Sequence, residues 1–258
     1  MEKAGRQILI YDSAAGVARA GAELLVARAR EKGKGLKIRV ALSGGSTPNA
    51  MYDILRMKSG DDARMLKKVR YFFGDERAVA NNHPESNVRL AVDGFLKPLG
   101  IPDTQIYPPN GAAQVLTAEA WRLTLVLERT LPKFEETNLP EFDLIYLGMG
   151  PDGHTASLFP NTEGLEAEDP GFIMNEVPQL KTRRLTLTFP VLNVARELAI
   201  MVTGENKAKV LEEIFTRGEG DKLVYPIEQL AARKMTWYLD KAAAARIPRE
   251  VPTRRMGA

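Results

Sequence analysis

Two histidines, His83 and His154, are the only imidazoles in the chain, and cysteine is absent. Imidazole is the side chain whose ordinary pKa suits general-base work near neutrality. His154 lies in LGMGPDGHTASLFP, residues 147–160, where Gly148 and Gly150 lead into Asp152-Gly153-His154. Glycines let such a loop approach a ligand closely. Asp152 stands two residues from His154, so both side chains can face one pocket, the carboxylate fixing the tautomer and supporting the imidazolium. A lone histidine after a glycine is more often structural. Its position directly after the apolar run DLIYLG favours a functional role here. His83, beside Pro84, reads as an ordinary loop residue.

A second candidate loop is ALSGGSTP, residues 41–48. Ser43-Gly44-Gly45-Ser46-Thr47 follows an apolar run and precedes Pro48 at a helix start. Two glycines let the backbone curl and present its N–H groups, the helix N-terminus adds partial positive charge, and three hydroxyls add donors. That combination suits a phosphate or carboxylate. No lysine precedes the Ser/Thr pair, so the segment is not a Walker loop. The plain alternative is a tight strand-to-helix connection that binds nothing. A rival is the G-x-S-x-G nucleophile elbow, one residue away from Ala41-Leu42-Ser43-Gly44-Gly45, which would make Ser43 a hydrolase nucleophile. Against it, His154 follows a Gly-rich turn and not a late loop behind the last strand.

A third loop, FFGDERAVANNHPESN, spans residues 72–87. Asp75 there can hydrogen-bond sugar hydroxyls, and Arg77 can clamp an anion with two parallel bonds. Alternatively the two form a structural ion pair while Ser86 and Asn87 merely cap a helix. Further cations stand where an anion would need them. Lys181, Arg183 and Arg184 precede LTLTF, and Lys207 opens a helix after LAIMV. A cation at a helix start opposes the dipole unless a bound anion compensates it; an ordinary solvated lysine is the competing possibility.

The elements that must hold these loops are legible as apolar runs. ILIY (8–11), IRVAL (38–42), VRYFF (69–73), FDLIYLG (142–148), LTLTF (185–189), LAIMV (198–202) and a late run at about 236–239 read as strands. Helices are expected from Asp12 or Ser13 to Glu31, stopped by Gly33 and Gly35, and at 48–57, from a Ser86 cap to Leu96, at 115–131, at 206–215, and as a short Ala-rich helix at the end. The basic tail PREVPTRRMGA reads as a frayed end. Continuous apolar strands are buried on both faces, and alternation with helices implies a mainly parallel sheet. The expected fold is α/β: a single domain over residues 1–258, with an open, doubly wound, mainly parallel, Rossmann-like sheet flanked by helices. In such sheets ligands sit beyond the carboxyl ends of the strands, where the unusual residues cluster.

Composition narrows the chemistry. The chain has 258 residues, with 36 Lys and Arg against 33 Asp and Glu, a net charge of only +3. So weak a field does not argue for nucleic acid or a membrane surface. Lack of cysteine excludes disulfides, thiolate nucleophiles and Cys-ligated metals, and two histidines cannot build a multi-His metal cage. No apolar run has the length of a signal peptide or a transmembrane helix, so a cytoplasmic location is expected. A monomer or weak homo-oligomer is expected.

With these residues in view, the chain resembles 6-phosphogluconolactonases. The matching segments, in order, are SGGSTP (43–48), GDER (74–77), PESN (84–87), GMGPDGHTASLFP (148–160), RLTLTFPVLN (184–193) and VTGENKA (202–208). The resemblance implies hydrolysis of 6-phospho-D-glucono-1,5-lactone, the second step of the oxidative pentose phosphate pathway, with no cofactor and no obligatory metal. It implies His154 as the base with Asp152 beside it, and the 43–47 loop, Arg77, Arg184 or Arg183, and Lys207 as anion-binding groups. Related glucosamine-6-phosphate deaminases carry a Glu shortly after the DGH segment; Ser157-Leu158-Phe159-Pro160 offers no carboxylate there. Related phosphosugar sensors are joined to a DNA-binding helix-turn-helix, for which the chain leaves no room before its first expected strand.

Overall fold

The computed structural model describes residues 5–31, 37–218 and 220–256. Seven strands form one parallel sheet: β1 (Gly5–Tyr11), β2 (Arg39–Leu42), β3 (Arg70–Phe73), β5 (Leu144–Leu147), β8 (Leu198–Val202), β9 (Lys234–Asp240) and β10 (Arg254–Arg255). Their order across the sheet is β10-β1-β9-β8-β5-β2-β3. Alternate residues of each strand feed opposite cores, as the pleat demands. Val40, Leu42, Tyr71, Phe73, Leu144 and Tyr146 join the core under α1 (Ala14–Glu31) and α2 (Ser46–Leu55). Ala41, Phe72, Ile145, Leu147, Ile200 and Val202 join the other, under α5 (Leu116–Thr130) and α7 (Ala208–Thr216). Burial on both faces is why these strands are written as unbroken apolar runs. The parallel, helix-flanked α/β sheet expected from the sequence is therefore present.

Several local expectations need correction. LTLTF does not enter the parallel sheet. It belongs to β7 (Thr182–Leu187), the centre of a separate antiparallel sheet ordered β4-β7-β6, with β4 (Asp75–Arg77) and β6 (Phe172–Val177). An apolar run does not say which sheet it joins, and three-residue β4 is too short to leave a periodic trace. The 48–57 helix begins earlier, at Ser46, so Ser46 and Thr47 lie in its first turn. α3 (Gly60–Leu66) had no apolar stripe to announce it. The Ser86-capped helix is α4 (Asn87–Ala91), continued by a wider π-type turn over Val92–Leu96. The Ala-rich 241–246 stretch forms turns in place of a helix. Over its described residues the tail is no frayed end: β10 pairs with β1, Leu9 against Arg254 and Ile10 against Arg255. α6 (Phe189–Asn193) completes the set. Gly33 and Gly35 lie outside the described residues. Among the described residues no helix is long and apolar enough to cross a membrane.

Candidate active site

The chain order turns back between β5 and β2: β2 is followed on one side by β3, and β5 is laid down on the other. Connections leaving the two strands diverge at such a switch point and open a crevice. The loops at residues 43–47, 74–87, 148–160 and 203–207 all leave carboxyl ends of β2, β3, β5 and β8, four neighbouring strands.

In the loop after β5, His154 Nδ1 lies 2.6 Å from Asp152 Oδ1, and the His154 backbone N–H donates to the same oxygen at 3.2 Å. Asp152 accepts, so Nδ1 carries the proton and Nε2 is the basic nitrogen. Nε2 has no hydrogen-bond partner among the described residues. Partial burial alone would push the Asp152 carboxyl up; the bond to His154 and its charge outweigh this and hold it below the usual carboxylate range. The ring stacks on Phe159 with centroids 4.0 Å apart. Backbone geometry explains the glycines. Gly153 has φ +72°, and a Cβ there would strike the Tyr225 ring; a Cβ on Gly150 would overlap the His154 ring and Asp152 Oδ1. Thr155 Oγ1 donates to Gly148 O at 2.9 Å, and Ile227 N to Gly153 O at 3.1 Å, closing the loop on both sides.

Asp75 is 7% exposed and does not sit as an open sugar ligand. Its Oδ2 accepts from Ser157 Oγ at 2.6 Å, and its Oδ1 from Asn87 Nδ2 at 3.2 Å. This bolts the GDER segment to the histidine loop. The alternative Asp75–Arg77 ion pair is also not what forms. Arg77 Nη1 donates to Asn87 Oδ1 at 2.6 Å and to Glu85 O at 2.7 Å. Glu76, fully buried, accepts from the backbone N–H groups of Arg77, Asn87 and Val88 and from Ser86 Oγ. Desolvation raises its pKa despite these four donors. Ser86 caps α4 as expected, accepting from Arg89 N at 3.1 Å. His83 is the loop residue the sequence indicated, its Nδ1 accepting from Glu85 N at 3.2 Å.

Sheet register separates the two arginines that the sequence left as alternatives. In the antiparallel β4–β7 pair, Asp75 opposes Thr186 and Arg77 opposes Arg184. Directly opposed residues share a face and neighbours along a strand do not. Arg184 therefore lies on the face of Asp75 and Arg77, and exposed Arg183 lies on the other. Burial, and then the adjacent charge of Arg77, lower the Arg184 pKa. Burial pushes the Lys207 ammonium pKa down, and the charge of Asp152 draws it part of the way back. Among the described residues neither Arg77, Arg184 nor Lys207 has a carboxylate within ion-pair distance.

The 43–47 turn closes the ring. Thr47 Oγ1 lies 2.8 Å from Thr203 Oγ1, which ties it to the turn bearing Lys207. Gly45, with φ +107°, is the N-cap of α2. Gly44 is required for space: Asn87 Oδ1 occupies the position a Cβ would take. Ser43 lacks the strained positive φ of an elbow nucleophile, and its Oγ donates to Gly44 O at 3.3 Å and not to an imidazole. Ser46 is exposed on the first turn of α2. Asn87, Ser157, Phe159 and Tyr225 are the supporting residues that spacing alone could not assign. The first three lie in recognisable segments, but nothing in the sequence says what each touches.

The family model for glucosamine-6-phosphate isomerases and 6-phosphogluconolactonases matches residues 12–238. The chain belongs to that family. Within it, a 6-phosphogluconolactonase of Synechocystis sp. is 37% identical over 217 residues, 83% of this chain and 85% of the relative. The crystal structure of a protein called devB superposes with a TM-score of 0.85 at 31% identity, over 94% of this chain and all of the other. The 6-phosphogluconolactonase of Trypanosoma brucei superposes with a TM-score of 0.80 at 26% identity, over 95% and 100% of the two chains. The likeness to these solved structures thus extends over nearly the whole chain.

Proposed function

We propose that this chain, acting as one domain, hydrolyses 6-phospho-D-glucono-1,5-lactone to 6-phosphogluconate in the oxidative pentose phosphate pathway. One observation carries the role of His154: its Nδ1 is committed to Asp152 while Nε2 is free, on a rim that also bears three cations without carboxylate partners. Arg77 and Arg184, opposed like charges, are mutually repulsive until a dianion sits between or above them. Lys207 and the N–H groups at the start of α2 extend the same positive rim.

The phosphate, held by these groups, brings the lactone carbonyl to His154. Nε2 takes a proton from water as the water oxygen bonds to C1. Arg77 or N–H groups of the 43–46 turn stabilise the oxyanion. When the C1–ring oxygen bond breaks, the imidazolium returns its proton to the departing oxygen, leaving a C5 hydroxyl and a carboxylic acid, which releases the second water proton to solvent and becomes the carboxylate. The lactone is an activated ester, so no covalent nucleophile is required. General-base assistance supplies about 10² to 10⁴-fold, with positioning and electrostatics providing the remainder. A deaminase would need a further carboxylate after the DGH segment; Ser157 there is buried on Asp75.

The test is a coupled assay in which glucose-6-phosphate dehydrogenase generates the lactone and acid release is followed against the spontaneous rate. Acceleration by the protein is expected, and its loss in His154→Ala. No acceleration by the wild-type chain overturns the proposal.

A further inference from the structure

Asn87 is 1% exposed, and its side chain has no role in holding its own helix. Ser86 Oγ caps α4, and Glu76 already takes the backbone N–H groups of Asn87 and Val88. The amide is spent elsewhere. Oδ1 accepts from Arg77 Nη1 at 2.6 Å, and Nδ2 donates to Asp75 O at 3.0 Å and to Asp75 Oδ1 at 3.2 Å. Its orientation is fixed by charge: flipping it would set an NH₂ against a guanidinium and an oxygen against a carboxylate. On its remaining side the amide fills the space left by the absent Gly44 side chain. One buried side chain thus touches the anion-binding turn, the guanidinium on its rim and the carboxylate bolted to the histidine loop.

We propose that Asn87 is a positioning residue for the lactonase reaction, acting by holding the Arg77 guanidinium in place beside the 43–47 turn. This rests on the function proposed above. Arg77 donates through Nη1 to Asn87 and to the Glu85 carbonyl, so these two acceptors set where the rest of the guanidinium points. Aspartate at this position would keep the acceptor but place a carboxylate against Asp75. Serine is too short to reach both partners. Glutamine adds a methylene to a side chain that is 1% exposed and already fills the space beside Gly44.

A double-mutant cycle tests the proposal. kcat/KM is measured for wild type, Asn87→Ala, Arg77→Ala and the double variant. Asn87→Ala alone is expected to lower kcat/KM about tenfold, and by less than about twofold when Arg77 is already alanine. A general structural role predicts the same tenfold loss in both backgrounds, and that result, or no loss in Asn87→Ala, overturns the proposal. If Asn87→Ala does not fold, Asn87→Ser goes through the same cycle with the same criterion. If the wild type shows no turnover, the lactonase proposal fails separately. The cycle is then read from 6-phosphogluconate affinity by calorimetry, where non-additivity still supports the Asn87–Arg77 linkage and additivity still removes it.

Discussion

Replacing Gly150 by alanine adds one methyl group where the structure leaves no room for it. The φ of Gly150 is not positive, so its backbone accepts an L-residue without strain. The obstruction is the His154–Asp152 pair itself, because the new Cβ would overlap His154 Nδ1 and Cε1 and meet Asp152 Oδ1. The ring is also held by its 2.6 Å bond to Asp152 and by Phe159 stacked at 4.0 Å. To clear a methyl group the imidazole must move by about 1 Å, and displacement of that order costs roughly 10² in rate when a reacting group is misplaced. Loss of the bond to Asp152 adds less. A hydrogen bond to a charged group is worth about 1.5–3 kcal/mol, but the Asp152 side chain is 40% exposed, so solvent screening leaves roughly 1 kcal/mol. Gly150→Ala should therefore lower kcat by about 10²-fold or somewhat more, with KM within about threefold of wild type, because the cations and the 43–47 turn stand on other strands. The dehydrogenase-coupled acid-release assay measures both constants. A kcat within threefold of wild type would refute the placement of the ring against Gly150. A loss confined to KM would refute the division between a histidine that does chemistry and a rim that binds.

Sheet register predicts that Arg184→Ala raises KM about tenfold through a lost charge-assisted contact, whereas Arg183→Ala stays within about twofold; equal effects of the two would undo the assignment of faces. Because Asp152 is held below its ordinary value of about 4, its contact with His154 stabilises the fold at pH above that value and ceases to do so as pH falls through the lowered one. The melting-temperature gap between wild type and Asp152→Asn should be small, worth under about 1 kcal/mol for so exposed a pair, and should close on acidification; a gap that widens toward low pH contradicts the sign. Ending the chain after Pro252 removes β10 and the 2.8 Å bond from Met256 N to Ile10 O, which should lower the melting temperature by about 2–4 °C for a loss near 1 kcal/mol and promote self-association through the bared β1 edge. Unchanged melting and a monodisperse truncated protein would show that the tail does not guard that edge. A fluorophosphonate should leave Ser43 unlabelled, and a covalent adduct seen by mass spectrometry would restore the nucleophile-elbow alternative.

The central strands were legible because burial on both faces leaves an unbroken apolar run, as in the Leu144–Leu147 segment, which is buried at every position. The histidine loop was legible because glycine, aspartate and histidine at the end of such a run have few other reasons to occur together. The second sheet was not. β4 is three residues long and carries Asp75, Glu76 and Arg77, so it looks like a charged loop. Its strand character comes entirely from pairing with β7, more than a hundred residues away in sequence. The uncertainty between Arg183 and Arg184 had the same source. Adjacent residues in a strand point to opposite faces, and only the register says which face meets the site.

Gly44 and Gly45 show how far a residue type underdetermines its reason. Both were expected to let the backbone curl around an anion. Gly45 does curl the backbone, with φ +107° at the N-cap of α2. Gly44 has no unusual φ and is glycine because Asn87 fills the space beside it. Any side chain at 44 would therefore act on the site indirectly, by dislodging the amide that holds Arg77 and Asp75, before it touched a ligand at all. The same holds for Gly150, whose missing side chain makes room for His154. At these two positions the glycines serve the packing of the site's own side chains, so the crevice is organised from behind by steric fit before it is lined by charge. In a site so arranged, preorganisation resides in buried contacts between loops on neighbouring strands, and the groups at the rim of the crevice inherit their positions from it.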